Sequence, residues 1–388
     1  MQNDVMPLDP TTRCAATALS PLVRYALVGL RRCWMSEHSR YSYRYHFDAA
    51  SPHNESVSEA DAFYTLNVLL GLSRVMEVGH RECYDIKAIY DRCCREAGNP
   101  KLKTYAYGMA LWAGARLGIA PPAPMLDRVR AILKSGRALS GLTAQDIGML
   151  ACGITALTKV DDKSWRVPAN VLVARLRDNY YHASTNMFYN QAKGPRRLYS
   201  SFASQVYSML ALYQYGEAFG ADWAIDVANN AAAAMIARQG RRGEWAWFYY
   251  VPGGRIVDFY EIYSVHQHGM APAFLHHAVE HGVPSARDAL IKGFGWLFGE
   301  NEMGVSMLRP VERMFYRSQV RESEMHSSGR RVARSVANAV FGRMDSPERH
   351  RGLVLRKECR SYELGWILWS FGARSDYREL TERLEFAV

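Results

Sequence analysis

The hydrophobic positions along the chain fall into two alternating kinds of helical segment. Six segments are apolar on nearly every face and carry Gly, Ala and Leu at close spacing. Such segments are typical of helices that protein encloses on all sides. Their small residues would let neighbouring helices approach closely. They begin at Tyr64, Tyr107, Asp146, Tyr207, His268 and Tyr362.

Amphipathic stretches with one apolar stripe separate these segments. They cover residues 82–97, 124–135, 168–178, 222–239, 284–298 and 376–386. The simplest closed arrangement is a ring of inner helices surrounded by outer helices, in which each repeat packs on its neighbours. We therefore predict an all-α fold, an (α/α)6 toroid of six helical hairpins, formed by residues 1–388 as a single domain.

The repeats are uneven, roughly 40 residues apart early in the chain and roughly 60 late, which indicates insertions. An N-terminal helix at about 19–36 is expected to pack on the ring. Residues 241–265 contain two β-rich runs around Pro252-Gly253-Gly254 and predict an inserted β-hairpin. Residues 300–360 are basic and poor in apolar periodicity, and predict a lid or a loop that crosses one mouth of the ring.

The hairpin and the helix after it hold the densest group of reactive side chains. Side chains alternate along a strand, so Glu244 would lie on one face, with Trp245, Trp247 and Tyr249 on the other. An aromatic face beside carboxylates suits a sugar, whose rings stack while acids transfer protons. The candidate catalytic residues are Glu244, Asp258, Glu261, His266 and His268, and the candidate substrate contacts are Trp245, Trp247, Tyr249, Tyr260, Tyr263 and Gln267. Alternatively, the rings anchor the hairpin to the rim and the acids are solvated.

Tyr362 and Glu363 open the last apolar segment and would point into the lumen, as further substrate contacts that could act with the hairpin acids. A second charged segment runs from Gly299 to Gly304 and is followed by Arg309, Glu312 and Arg313. For that second segment, solvated loop charges are the favoured interpretation.

The sequence from His277 to His281 matches the inverted zinc-peptidase pattern HxxEH. Two histidines four residues apart share a helical face and can bind zinc. The motif supplies only two ligands, and histidines at a helix C-terminus are also favoured by the helix dipole. We therefore predict no metal site. The chain also lacks a P-loop, a GxGxxG turn and a GxSxG elbow, so we predict no cofactor.

The composition narrows the class of ligand. The formal net charge is +10 and the pI is about 9.2, which favours an anionic ligand or a solvated basic surface. The basic residues are spread out and form no nucleic-acid-binding motif. Seven cysteines, an odd number without zinc spacing, favour reduced thiols. Residues 1–13 do not look like a signal peptide, and no apolar run is long enough to span a membrane, so a cytoplasmic location is expected.

With these segments in place, the chain resembles the six-hairpin carbohydrate-active superfamily from about residue 60 to its end. That group includes glycoside hydrolases, polysaccharide lyases and sugar epimerases, and its sites lie in the funnel where the inner helices open. Locally, GEWAWFYYVPGGRIVDFYEIYSVHQHGMAP is similar to a segment of poorly characterised bacterial proteins encoded with exopolysaccharide-biosynthesis genes. The resemblance supports the hairpin region as the site, although a fold alone does not fix a function.

We therefore expect a carbohydrate-active enzyme (a hydrolase, lyase or epimerase) that acts on an anionic glycan or glycan precursor in bacterial polysaccharide biosynthesis. Two alternatives remain open at this point. One is a non-catalytic scaffold within a complex of polysaccharide-assembly proteins, with residues 300–360 as the docking surface. The other is a toroid that processes terpenoids or lipids, which would need an apolar, aromatic-lined cavity.

Overall fold

The computed structural model describes residues 19–47, 51–82, 84–97, 103–325, 329–346 and 352–387. Residues 1–18, which carry the expectation about a signal peptide, and Cys83 lie outside these ranges. The described helices and strands are numbered below in chain order.

The inner helices are α2 (Ser58–Glu77), α4 (Thr104–Leu117), α7 (Ala144–Thr158), α9 (Phe202–Phe219), α11 (Ala271–Glu280) and α14 (Ser361–Phe371). The outer helices are α1 (Pro21–Cys33), α3 (Ile86–Ala97), α5 (Ala123–Lys134), α8 (Asp162–Arg175), α10 (Asp222–Ile236) and α12 (Ala286–Leu297). Three others are α6 (Gly136–Gly141), α13 (Gly329–Val340) and α15 (Arg378–Thr381). A π-helical turn, His266–Met270, leads directly into α11 and extends that inner helix.

The inner helices form a closed ring. Each packs on the next, from α2 through α4, α7, α9 and α11 to α14, and α14 packs back on α2. The structure thus confirms the predicted all-α toroid. Its sixth outer position differs from the prediction, because residues 376–386 form only the one-turn helix α15 and a 3₁₀ turn. The N-terminal helix α1 packs on α14 and fills that position instead.

Glycines allow the close approach that the apolar segments predict. A Cβ on Gly71 of α2 would lie 2.2 Å from the carbonyl oxygen of Gly365 in α14. A Cβ on Gly108 of α4 would lie 2.4 Å from the backbone of Met149 in α7. At both contacts, helix backbones therefore meet with no room for a side chain. A capping box at Thr143 and Asp146 starts α7, and Asp146 also accepts a hydrogen bond from the backbone N–H of Tyr105 in α4.

The described strands gather at one end of the ring, since they lie in the connections that lead from an outer helix to the next inner helix. They are β1 (Trp34–Met35), β2 (Arg40–Tyr41), β3 (Arg44–His46), β4 (His53–Glu55), β5 (Tyr181–His182), β6 (Met187–Phe188), β7 (Tyr199–Ser201), β8 (Phe248–Tyr250), β9 (Arg255–Asp258), β10 (Ile262–Tyr263), β11 (Leu308–Arg309), β12 (Met314–Phe315), β13 (Ser318–Arg321), β14 (Leu353–Arg356) and β15 (Glu358–Cys359). Three antiparallel sheets have three strands each, in the orders β7-β8-β9, β10-β13-β14 and β15-β3-β4. We call this end, where the inner helices begin, the N-terminal mouth, and the opposite end the C-terminal mouth.

The two inserted regions depart from the sequence prediction in opposite directions: the hairpin has a shorter strand than predicted, and the segment 300–360 has more regular structure. Strands β8 and β9 pair across Pro252-Gly253-Gly254, but β8 begins only at Phe248, so the alternation predicted from Glu244 onward is limited to a shorter strand. Within residues 300–360, β13 joins the sheet of β10 and β14, and α13 packs against β9. Those described parts form sheet and helix at the N-terminal mouth. None of the described helices is long and apolar enough to cross a lipid bilayer.

Candidate functional site

The candidate site is centred on Arg317, a buried arginine at the N-terminal mouth. Arg317 directly precedes β13, and the sheet holds it against the start of α14. Its Nη1 donates to Oε1 of Glu363 at 2.6 Å, and its Nε lies 3.4 Å from Oε1 of Glu358. The guanidinium carbon also lies 4.8 Å from the ring centre of Tyr263. Arg317 thus joins α14, β15 and β10 at a single point.

A second arginine, Arg360, brings tyrosine rings into the same mouth. Its Nη1 donates to the hydroxyl oxygens of Tyr43 at 2.6 Å and of Tyr64 at 3.0 Å. The rings of Tyr43 and Tyr64 stack with their centres 5.3 Å apart, and Tyr64 and Tyr362 lie 4.5 Å apart. Tyr43, Tyr64 and Tyr362 are all partly exposed. Their phenol groups and ring edges therefore form part of the surface of the mouth.

Glu261 forms the opposite wall. Its carboxylate accepts hydrogen bonds from Ser318 Oγ at 2.5 Å, Arg356 Nε at 2.7 Å and Tyr263 OH at 3.2 Å. The strand register explains this grouping, because Tyr263 pairs with Ser318 and Ser318 pairs with Arg356 across β10, β13 and β14. Although burial opposes it, the positive charges of Arg317 and Arg356, with these hydrogen bonds, hold the pKa of Glu261 below its usual range.

An aromatic group lies beside Glu261. Trp247 is partly exposed, and its ring centre lies 5.3 Å from that of Tyr263. Arg331 of α13 lies 5.2 Å above the Trp247 ring, and its Nη1 is 3.8 Å from Glu261. His266 lies parallel to Trp247 at 6.3 Å, and burial lowers the pKa of His266 to about 3. The imidazole is therefore neutral near pH 7.

Glu363 differs from Glu261 in its charge state. Its side chain is fully buried, and its Oε2 has no hydrogen-bond partner among the described residues. Burial raises the pKa of Glu363 to about 8, while Arg317 and Arg360 oppose the shift. A protonated carboxyl group and an ionised one thus surround the same arginine. Two acids whose pKa values are driven apart in one site are the usual arrangement for acid–base chemistry.

The structure therefore brings together six of the residues singled out in the sequence. They are Glu261, Tyr263, His266, Trp247, Tyr362 and Glu363. It places the other candidates elsewhere. His268 packs on Phe315, and Trp245, Tyr249, Tyr260 and Gln267 are almost completely buried within the hairpin and core.

Glu244 lies outside this group, in a pair of buried carboxyl groups with Glu302. Its Oε2 accepts from the backbone N–H of Arg242 at 2.9 Å, and Lys292 of the outer helix α12 is nearby. Burial, and next the charge of Glu302, raise the pKa of Glu244 to about 7. Glu302 in turn accepts from Trp296 Nε1 at 3.0 Å. This pair links the segment from Gly299 to Gly304, the second sequence candidate, to the outer layer.

Asp258 belongs to a structural ion network. Arg321 Nη1 donates to Asp258 at 2.9 Å and to Glu324 at 2.9 Å, while its Nη2 donates to Asp345 at 3.0 Å. All four side chains are buried. The network fastens the hairpin to the segment that follows β13. Arg309 and Glu312 pair with each other in a similar way, at 2.8 Å.

The HxxEH motif gains a third side chain in the fold, at the C-terminal mouth. Glu217 of α9 accepts from His277 Nδ1 at 2.7 Å and from His281 Nε2 at 3.0 Å. Possible ligand atoms of Glu217, His277 and Glu280 lie within 4.8 Å of one another, so these are the residues that could hold a metal in the described part of the chain. Each already has protein partners, because Glu280 also pairs with Arg374 at 2.9 Å.

Several residues of the site were not selected from the sequence as site residues. They are Arg317, Arg331, Arg356, Arg360, Glu358, Tyr43 and Tyr64. Tyr64 begins the first apolar segment as Tyr362 begins the last, so this shared position was an available signal. Arg317, Arg331 and Arg356 lie in the segment from 300 to 360, where no pattern separates them from solvated charges.

Comparisons with solved structures identify the architecture. A cellobiose 2-epimerase from Bacillus thermoamylovorans B4167 matches with a TM-score of 0.61 at 11% identity, covering 90% of this chain and 97% of that one. A sugar epimerase from a ruminal bacterium matches with a TM-score of 0.58 at 10% identity, covering 94% and 99%. A family 88 glycosyl hydrolase from Bacteroides vulgatus matches with a TM-score of 0.53 at 10% identity, covering 92% of this chain and 99% of that one.

These TM-scores, at identities of 10–11%, establish that the chain shares its fold with these proteins. Coverage above nine-tenths of both chains shows that the likeness extends over the whole ring. No protein-family model matches the sequence, and no curated protein matches it.

Proposed function

We propose that this protein is a carbohydrate-active enzyme that acts on an anionic glycan or glycan precursor at its N-terminal mouth. The observation that carries the proposal is the pairing of Glu363 and Glu261 around Arg317. One carboxyl group is protonated near pH 7 and has one oxygen without a hydrogen-bond partner among the described residues, and the other is ionised. Proteins named as sugar epimerases and a glycosyl hydrolase share the fold.

Glu363 is the proposed general acid. A carboxyl group with a pKa near the working pH donates a proton efficiently to a leaving or ring oxygen. Arg317 donates to Oε1, and the buried Oε2 has no hydrogen-bond partner among the described residues, so we assign the transferable proton to Oε2. Glu261 is the proposed negative counterpart, because its hydrogen bonds and arginines keep it ionised.

The surface around these acids suits a charged sugar. Trp247, Tyr64 and Tyr362 offer partly exposed rings for stacking on a sugar face. Arg331 has a loose 3.8 Å contact with Glu261, so it is the arginine best placed to turn toward a substrate carboxylate. A neutral His266 beside Trp247 can accept a hydrogen bond from a sugar hydroxyl. The local resemblance to exopolysaccharide-associated proteins supports a role in bacterial polysaccharide biosynthesis.

A paired substitution tests the proposal. Acidic oligosaccharides, neutral oligosaccharides and nucleotide sugars would be screened by thermal shift and by turnover, with assays for new reducing ends, unsaturated products and epimers. The proteins would be wild type, Glu363→Gln and the matched control Glu244→Gln, another buried glutamate with a raised pKa. We expect an acidic sugar to raise the melting temperature of all three proteins, and turnover to be lost only in Glu363→Gln.

Two results would reject this assignment. Loss of turnover in Glu244→Gln but not in Glu363→Gln would move the chemistry to the Glu244–Glu302 pair. Absence of binding and turnover with every sugar would instead favour the non-catalytic scaffold within a polysaccharide-assembly complex.

A further inference from the structure

The C-terminal mouth encloses a cavity that the proposed reaction does not use. Its volume is about 480 Å3, within the range of roughly 300–1,000 Å3 that small-molecule sites occupy. All six inner helices line it near their C-terminal ends, and the lining includes Arg74, Arg116, Thr155, Gln214, His276 and Trp369, one from each helix. Inner helices of 10 to 20 residues, about 15–30 Å long, separate this cavity from the Glu363 site.

Two of the lining side chains are buried without a hydrogen-bond partner. His276 is 4% exposed and Thr155 is 2% exposed. Neither ring nitrogen of His276 nor the hydroxyl of Thr155 is hydrogen-bonded to any residue that the structure describes. Buried polar groups are nearly always satisfied by protein, ordered water or a ligand. The cavity is many times larger than the roughly 30 Å3 that one water occupies.

Positive charge exceeds negative charge on one side of the cavity. Arg74 and Arg116 share a single carboxylate, that of Glu77, and both guanidinium groups lie about 5.5 Å from the ring centre of Trp369. Burial and then the charge of Arg374 lower the pKa of Arg74. An anion bound between these arginines would reduce the repulsion among their positive charges. The acidic side of the cavity has less capacity to bind a ligand, because Glu217 already accepts hydrogen bonds from His277 and His281.

We propose that this cavity is a second ligand site, which binds a small anionic sugar through a carboxylate or a phosphate. The guanidinium groups of Arg74 and Arg116 bind the anionic group, and Thr155 and His276 bond hydroxyl groups. Sugar acids and sugar phosphates share this chemistry. Because the C-terminal ends of six helices repel an anion, the basic side chains supply the attraction.

Calorimetric titration of the full chain tests the site without reference to turnover. The probes are glucuronate, glucose 6-phosphate, glucose and inorganic phosphate. Ala218 lines the cavity and is exposed, so Ala218→Trp would fill the space without disturbing the core. Ala233→Trp, on the exposed face of the outer helix α10, is the matched control.

We expect glucuronate, glucose 6-phosphate or both to bind at least about tenfold more tightly than glucose or inorganic phosphate. Ala218→Trp should weaken that binding at least tenfold, Thr155→Val should weaken it several-fold, and Ala233→Trp should leave it unchanged. Equal binding to the wild type and Ala218→Trp, or no binding of any probe, would overturn the proposal. Phosphate binding as tight as that of glucose 6-phosphate would overturn its sugar part. Because Glu363→Gln leaves the cavity intact, the same titration on that variant separates this site from the proposed active site.

Discussion

The two mouths of the ring are built from the same six helices but differ in what the chain places over them. At the N-terminal mouth, long connections add sheets and α13, and their arginines and acids pack around Arg317 at hydrogen-bond distances. At the C-terminal mouth, inner helices turn into outer helices within a few residues, as at Gly118, Gly220 and Gly282, and an open cavity remains. Scaffold helices are thus the same at both ends, while the connections determine the chemistry.

The comparison of the two mouths predicts that the largest loss of activity follows substitution of Glu363 at the N-terminal mouth. Glu363→Gln keeps the size of the side chain and its contact with Arg317 but removes the transferable proton. We expect kcat/KM on the acidic sugar to fall about 10²–10⁴-fold, the usual contribution of a general acid. Steady-state kinetics on folded protein, checked by circular dichroism, measure this. A fall of less than threefold would remove Glu363 from the mechanism.

The arginines of the two mouths should differ in their effect on stability. Arg317→Met would remove the donor to Oε1 of the buried Glu363, while Glu358 keeps Arg44 and Arg360, so the free energy of unfolding should fall by about 1–3 kcal/mol. Arg374→Gln removes pairs with the exposed groups Glu280 and Asp376, and should cost less than about 1 kcal/mol. Urea denaturation gives both values. Similar losses of unfolding free energy in the two variants would contradict the expected difference between the two mouths.

The raised pKa of Glu363 predicts a pH dependence of stability. Between its ordinary pKa of 4.5 and about 8, folded protein holds a proton that unfolded protein has released. Stability from this group is therefore present at low pH and is lost as pH rises through that window. The difference in unfolding free energy between wild type and Glu363→Gln should fall between pH 5 and 9 in urea titrations at about pH 5, 7 and 9. An unchanged difference would show that Glu363 is ionised throughout.

The smallest predicted effect concerns the tyrosines. Tyr64→Phe removes one hydroxyl that accepts from Arg360 at 3.0 Å, and the ring remains. Because this hydrogen bond lies within the protein, its loss should lower the free energy of unfolding by about 0.5–1.5 kcal/mol, as urea denaturation would measure, and should leave kcat and KM nearly unchanged. Michaelis–Menten kinetics check this. A large loss of kcat instead would mean that the phenol takes part in proton transfer.

The fold could be predicted because its signals are local. Apolar segments with glycines such as Gly71 and Gly108 indicated enclosed helices, and the structure shows the backbone contacts they permit. The sixth outer helix was harder to predict, because α1, which packs on α14, comes from the other end of the chain. No periodicity reports which of two remote segments fills a position.

The site was predictable only in part, because its geometry depends on long-range pairing. Glu244 and Glu261 belong to one charged, aromatic stretch and look alike in sequence. Strand pairing among β10, β13 and β14 places Glu261 next to Arg356, whereas Glu244 turns outward to Glu302. The arginines that define the site come from a segment without periodic pattern.

A crystal structure of Glu363→Gln with the acidic sugar found in the screen tests the central claim most directly, because the variant should bind the sugar without consuming it. The account predicts the sugar at the N-terminal mouth, with a ring against Trp247 or Tyr362, an oxygen near residue 363 and its anionic group near Arg331. A sugar bound beside Glu244 and Glu302, with the N-terminal mouth empty, would contradict it.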